Sequence, residues 1–324
     1  MWREAADELS VELEQLPYGF HEARFGDRVV RIQDHLVPLD YHLTLMLARN
    51  KPLVHELLSQ HGIHVPPFHA FRMDELETAK QFLESQDGPC VVKPALGSAG
   101  GEGVTTQITT PRELRNAAIF ASIYSPLIMV ERQITGDVHR LLYLDGELID
   151  AIHRRPPRVV GDGRRTIRQL IRAENGQRVA HAGSGSLKNL VIDFDCRATL
   201  RGAGLSLNTV PPSGQEVIVK TATNESAAHE CESIGNNVHE DVIREGAKAA
   251  EVLGVRLAGL DVISPDIRLP LRQNGGAIIE VNASPGLQYH YQVRNQRVPV
   301  AVAVLARLLD IPHVPVTGTP AVME

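Results

Sequence analysis

The chain has 324 residues, 43% of them hydrophobic, which suits two domains or one large domain with subdomains. With 33 Lys+Arg against 39 Asp+Glu the net charge is −6, which argues against a duplex nucleic-acid binder, and an aromatic content of 4% argues against a stacking platform for single strands. No window approaches a membrane-spanning apolar run, and the N-terminus has acidic residues where a signal peptide needs a positive flank. Cys90, Cys196 and Cys231 are scattered without a CxxC pair, so neither a disulfide framework nor a zinc site is expected; a cytoplasmic globular protein with room for a cleft is.

In chain order, Leu9, Leu13 and Leu16 stand at helical spacing within 1–16, and 28–32 predicts a short strand. Residues 41–60 predict a helix that Pro66-Pro67 closes off. There follow a helix over 74–83, a strand at 90–93, a glycine-rich stretch at 97–103, a strand at 104–108, a helix at 112–120 and a strand at 127–131. Segments 138–144 and 147–153 predict a hairpin around Asp145-Gly146. A helix is expected over 166–174, irregular chain over 176–214, apolar strands at 257–263 and 277–281, and a last helix at 298–309. Residues 313–324, rich in proline, read as a tail.

Three groups of residues could carry chemistry. Gly97-Ser-Ala-Gly-Gly-Glu-Gly103 begins four residues after Lys93. Backbone N–H groups of such loops approach phosphates closely, and a strand lysine just before the loop is well placed for the same anion. Gly103 lacks the Lys-Ser/Thr that a P-loop requires, and Thr106 stands where a dinucleotide fingerprint needs its third glycine, so a plain connector is the competing reading. The second group is Asp261, Glu280 and Asn282. Glu280 and Asn282 share one face of a strand, and an acid inside Leu-Ala-Gly-Leu-Asp-Val-Ile is costly to bury unless paired or bound to a cation. Two carboxylates and an amide oxygen suit Mg²⁺; hydrogen bonding to the Pro285-Gly286 turn is the plainer alternative. The third group is basic: Arg132, Arg140, Arg154, Arg155, Arg158 and Lys220, of which two or three are expected to be ligands. The 14 histidines match no zinc spacing, and Asp193-x-Asp195 receives no role.

Taken in order over roughly 45–312, these pieces resemble the ATP-grasp superfamily of carboxylate–amine ligases. The resemblance rests on Lys93-Pro94 before the glycine loop, Met-Val-Glu-Arg at 129–132, Arg-Leu-Leu at 140–142, and Asp261 with Glu280-Val-Asn282-Ala-Ser-Pro-Gly286. Within that superfamily, the stretch from Arg154 through Gly161-Asp-Gly163 to Leu170 is similar to the ATP-grasp part of cyanophycin synthetases. Lys220-Thr-Ala-Thr-Asn224-Glu-Ser226 resembles a segment in the ligase half of bifunctional glutathione synthetases.

The resemblance implies an α+β fold in which two subdomains clamp ATP. It divides the chain into a short N-terminal region, 1–44, and an ATP-grasp domain, 45–312, with a flap subdomain over 75–133 and a catalytic subdomain over 134–312. It implies that Lys51 and Lys93 contact ATP, and that Gly97, Ser98, Ala99, Gly100, Gly101 and Gly103 form a flap over the triphosphate. Glu131, Arg132, Gln133 and Ile134 would hold adenine, with Asp137 serving the ribose from a shifted position. Asp261, Glu280 and Asn282 would hold Mg²⁺, or Mn²⁺ in its place. Arg140, Lys220 and Asn224 would face the transferred phosphoryl group or the acid. The implied activity joins an amino acid or small peptide to an amine through an acyl phosphate, giving ADP and phosphate. An ATP-grasp kinase, a ligase making a non-peptide bond and a non-catalytic ATP-binding module are the alternatives. Departures from the pattern are a glycine loop one residue longer and Ala228-His229 in place of Gly-Gly. The large N-terminal and second ligase domains of cyanophycin synthetases have no counterpart here, so synthesis of a long polymer is not expected. A homodimer is.

Overall fold

A computed structural model describes residues 1–97, 101–180, 189–221, 223–226, 230–235 and 237–312, with the side chains of Val179, Ala180 and Asn224 left aside. The chain opens with α1 (Trp2–Leu9) and an antiparallel sheet of β1 (Glu12–Gln15), β2 (Phe20–Phe25) and β3 (Arg28–Gln33). The helix expected over 1–16 stops at Leu9. Ser10 adopts φ 55°, its N–H closes on Asp7, and residues 12–15 pair with β2 instead.

The single helix expected over 41–60 is two, α2 (His42–Ala48) and α3 (Lys51–Gln60). The Asn50 side chain accepts from Leu53 N at 3.2 Å and caps α3. Pro52 sits in the first turn, where a missing N–H costs nothing. Lys51 is thereby fixed at a helix start, with its own N–H bonded to Ala95 O at 3.1 Å.

The next unit contains β4 (Phe68–Phe71), α4 (Leu76–Glu84), β5 (Cys90–Pro94), β6 (Thr105–Ile108), α5 (Pro111–Ser122) and β7 (Ile128–Arg132). Its antiparallel sheet runs β4-β7-β5-β6. Leu83 of α4 and Leu114, Ala117 and Ala121 of α5 cover one face, packing on Val92, Ile108 and Val130. Thr110 and Glu113 form a capping box that starts α5.

The predicted hairpin is present as β8 (Asp137–Leu144) and β9 (Glu147–Arg154), with Asp145 at φ 50° and Gly146 at φ 84° making the turn. An insertion follows: β10 (Arg158–Val160), α6 (Ile167–Ala180), α7 (Phe194–Gly202) and β11 (Glu216–Ile218), with its own small core around Ile167, Ile171, Leu200 and Val217. α7 lies inside the stretch expected to be irregular. Asp193 nucleates it by accepting from Cys196 N at 3.0 Å. The chain closes with β12 (Cys231–Ser233), α8 (Glu240–Leu253), β13 (Leu257–Ser264), α9 (Leu271–Asn274), β14 (Ala277–Ala283) and α10 (Val300–Leu308).

The central sheet runs β12-β9-β8-β13-β14, antiparallel at every ladder. One face buries Leu141, Tyr143, Leu260 and Val281 against α8 and α3. A Cβ at Gly246 of α8 would strike the Tyr143 ring, so glycine is what lets the helix lie this close. On the other face α10 and α1 cover one end, packing on Leu142, Leu144 and Leu257. The rest of that face carries charge. No described helix is long and apolar enough to cross a membrane.

Candidate active site

Strand periodicity places the charged residues together. Asp261 pairs with Arg140 on one side and Glu280 on the other, while Gly259 pairs with Leu142 and Asn282. Residues two apart share a face, so Arg140, Asp261, Glu280 and Asn282 project from the same side of three adjacent strands. Arg154 and Asp150 join them from β9, and Ser233 from β12.

Arg140 clamps Asp261 with two bonds, Nε to Oδ1 at 2.6 Å and a terminal nitrogen to Oδ2 at 2.9 Å. A Cβ at Gly259 would lie 2.6 Å from Pro285 Cβ and 2.9 Å from an Arg140 terminal nitrogen, so only glycine there leaves room for the clamp. Burial works against the Arg140 charge, but Asp261 outweighs it and holds the guanidinium pKa above its usual value. Asn282 Nδ2 donates to Gly259 O at 3.2 Å and Asp261 Oδ2 at 3.4 Å. Lys51 Nζ lies 3.3 Å from Glu280 Oε1. Burial pushes the Glu280 carboxyl up; Lys51, Lys93 and Arg140 prevail and hold it below its usual range. Glu280 keeps 31% of its side chain exposed, so this corner is open.

Lys93 donates to Glu131 Oε1 at 2.7 Å, and both are buried. His55 Nε2 bonds Ile279 O at 3.1 Å, with Nδ1 3.8 Å from Glu131 Oε2. Burial lowers the His55 pKa below its usual value even though the Glu131 carboxylate opposes it, which favours the neutral ring. The glycine loop starts beside Lys51: Leu96 bridges to Asn50, and Gly97 N bonds Arg49 O. Gly97, Gly101 and Gly103 all have positive φ, and a Cβ at Gly103 would come within 2.7 Å of Pro94 and Tyr124. Ser98, Ala99 and Gly100 lie outside the described residues.

Of the residues expected to hold adenine and ribose, Arg132 is exposed and Ile134 buried. Gln133 Oε1 accepts from Gln107 N at 2.8 Å, and the Glu131 side chain is committed to Lys93. Asp137 lies 3.2 Å from His153 Nε2. Lys220 is held in the insertion, 2.7 Å from both Asp193 Oδ2 and Glu225 Oε1. Burial lowers its pKa, but the two carboxylates more than reverse that and the ammonium is favoured. Asn224 lies one turn away, in 223–225; its side chain is not described.

Several of the buried groups here were not among the residues singled out from the sequence. His290 Nδ1 bonds Asp150 Oδ2 at 2.7 Å, and Ser233 Oγ donates to Asp150 Oδ1 at 2.7 Å. Burial depresses the His290 pKa despite Asp150, which favours the neutral imidazole. Arg154 stacks on the neighbouring Tyr289 at 4.9 Å. A histidine and an aspartate 140 positions apart leave no local pattern to read.

Among the described residues no three His, Cys, Asp or Glu side chains form a group that could hold a metal by itself. A cation here would need both carboxylates, the Asn282 amide oxygen and ligands from outside the chain. The donors fit a hard ion that keeps water and phosphate oxygens in its shell.

No family model matches the chain. Cyanophycin synthetase of Trichormus variabilis is 31% identical over 344 aligned positions, covering 98% of this chain and 38% of that protein. A glutathione biosynthesis bifunctional protein of Listeria innocua is 27% identical over 297 positions, covering 90% of this chain and 38% of that protein. A crystal structure of a bifunctional glutathione synthetase from Pasteurella multocida superposes with a TM-score of 0.57 at 22% identity, over 93% of this chain and 41% of the other. The fold is therefore the ATP-grasp fold, as the sequence implied. The chain is a homologue of cyanophycin synthetase and of the bifunctional glutathione protein, and it spans less than two fifths of either.

Proposed function

We propose that the chain is an ATP-dependent carboxylate–amine ligase that makes an amide bond on an amino acid or small peptide. The observation that carries this is the convergence of Lys51, Lys93 and Arg140 on Asp261, Glu280 and Asn282, beside the root of the glycine loop. Such a face suits a nucleoside triphosphate with its divalent cation: phosphates take the lysines, and the cation takes the carboxylates. Mg²⁺ bound there by Asp261, Glu280 and Asn282 would neutralise phosphate charge.

The chain's own groups then do the following. Lys51 and Lys93 hold the triphosphate, the glycine loop covers it, and residues 131–134 border the base. A carboxylate oxygen of the substrate attacks the γ-phosphorus, and ADP leaves. Arg140, freed from part of its bond to Asp261, faces the phosphoryl oxygens and then the oxyanion formed as the amine adds to the acyl carbon. Phosphate departs with the oxygen that attacked, and the amine loses a proton to solvent. Lys220 and Asn224 would bound the acid site from the insertion.

An ADP-release screen over pairs of amino acids with MgATP, followed by product mass spectrometry, tests the proposal. Oxygen-18 in the substrate carboxylate should appear in the released phosphate. AMP formation, a phosphorylated product or ATP binding without turnover would replace the ligase by another ATP-grasp activity or by a binding module.

A further inference from the structure

β8 turns the wrong side chain toward the place where a ribose contact was expected of Asp137. Along the strand Val138, Arg140 and Leu142 point to the site side of the sheet, and Asp137, His139 and Leu141 to the reverse. The Asp137 carboxylate accordingly lies 3.2 Å from His153 Nε2, and His153 stacks on its cross-strand partner His139 at 5.1 Å. With Asp266 and Arg268 these groups line a cleft on the reverse face. The register that puts them there is pinned. β8 and β13 pair without a break from Asp137–Ser264 to Leu144–Leu257, and a Cβ at Gly136 would lie 2.3 Å from the Ser264 carbonyl carbon. A slip by one residue would bring Asp137 to the site, but it would also turn Arg140 into the apolar core of the other face and Leu141 out of it.

Between residues 131–134, which border the base on the reading above, and the Arg140–Asp261 pair, β8 and β13 offer the site two side chains: Val138 and its cross-strand partner Ile263. Both are apolar and both are partly exposed. Val138 precedes Arg140 by two residues, about 7 Å along the strand, so it stands where a nucleotide running from base to phosphates carries its sugar. The acceptor oxygen of Gln133 is already taken by Gln107 N. Thr135, exposed just before the strand, offers a hydroxyl but no charge. We infer that Val138 and Ile263 form the floor of the sugar subsite, and that the site binds 2′-deoxy-ATP and 3′-deoxy-ATP about as well as ATP. This rests on the reading that ATP spans residues 131–134 and Arg140. A site built with a buried carboxylate for the ribose hydroxyls rejects a nucleotide that lacks one, because the carboxylate is left unpaired. An apolar floor strands nothing when a hydroxyl is missing. The sugar is then held by contact alone, and selectivity for ATP has to come from the base and the phosphates.

Titration calorimetry of the whole chain with Mg²⁺ and ATP, 2′-deoxy-ATP or 3′-deoxy-ATP tests this without any acid or amine substrate. In wild type the three Kd values should agree within about threefold, where a charged acceptor on the hydroxyls would cost the deoxy forms roughly tenfold or more. Asp137→Asn should leave the ratio of deoxy to ribo Kd as it is in wild type. Val138→Glu sets a carboxylate on the site face at the height of the sugar, and should create a preference for ATP of roughly tenfold. A tenfold preference for ATP in wild type overturns the inference, as does a ratio that shifts in Asp137→Asn. An unchanged ratio in Val138→Glu, with a circular dichroism spectrum matching wild type, places the sugar elsewhere and overturns it too. If Val138→Glu does not fold, wild type and Asp137→Asn decide. Binding of none of the three nucleotides refutes the ATP reading itself, a result distinct from binding with discrimination.

Discussion

Two buried charge clusters, one on the central sheet and one in the insertion, use the same residue types to different ends. In the insertion, Lys220 sits between Asp193 and Glu225 at 2.7 Å each, and Arg178 between Glu174, the Glu225 carbonyl and Glu230. Asp195 takes the Thr106 hydroxyl at 2.7 Å and Thr221 N at 3.1 Å. Every one of these bonds is internal to the chain, and the one from Thr106 ties the insertion to β6. On the sheet, Lys51, Lys93 and Arg140 face Glu280, Glu131 and Asp261, and Glu280 remains partly in solvent. Under the ligase reading proposed above, a triphosphate and a cation would replace internal partners there charge for charge. On that reading the first cluster holds shape and the second is arranged for exchange. Lys220 would have to give up a carboxylate before it could act on substrate.

The comparison can be broken at its open end first. Glu280→Gln should lower ADP release by roughly 100-fold or more while the melting temperature moves only a few degrees, because one charge leaves a partly exposed position. Turnover within a few-fold of wild type at saturating Mg²⁺ would remove Glu280 from the site. At the closed end the effect should be on folding. Lys220→Met strands two carboxylates and should cost about 3–5 kcal/mol in urea unfolding. A loss below about 1 kcal/mol would mean the cluster is not a lock.

The reverse face of the same sheet offers a pH test. His139, stacked on His153 at 5.1 Å, is held at about 4, by burial first and by His153 second. Its unfolded value is 6.5, so between pH 6.5 and 4 the unfolded chain binds the extra proton. The stability this residue contributes is complete above pH 6.5 and is lost as pH falls through 4, by roughly 3 kcal/mol. His139→Gln should flatten that part of the stability profile; an unchanged slope would contradict it. The smallest effect concerns the link between the regions. Thr106→Val removes one bond to Asp195 and leaves the other, so about 1 kcal/mol is expected, with faster hydrogen exchange in Thr105–Ile108. Exchange rates equal to wild type would show that the insertion does not restrain that strand.

How much of this was legible follows from the range of each signal. The β8–β9 hairpin could be read from alternation around Asp145-Gly146, and Glu280 and Asn282 from their spacing of two. The register that sets Arg140 against Asp261 spans 121 residues and leaves no local trace. α8 was overlooked although Val242, Gly246, Ala249, Ala250 and Leu253 are buried at helical spacing. Small side chains make its inner face only weakly hydrophobic, and that same smallness lets it lie against Tyr143. The helix expected over 41–60 failed at Asn50, where a capping side chain outweighed continuous apolar periodicity. Arg154 was visible only as one of several basic residues. Its distinction, that no ion pair holds it among the described residues, is a property of packing.

The pairing of Arg140 with Asp261 also sets a schedule during synthesis. β8 leaves the ribosome 121 residues ahead of the strand that completes it. At about 5–20 residues per second, the hairpin waits roughly 6–24 s with Leu141 and Tyr143 uncovered and one edge open. Meanwhile the small four-stranded unit, contiguous in sequence, is free to fold. A nascent chain of this protein should therefore engage chaperones most strongly after residue 154 emerges, and release them once β13 has closed the sheet.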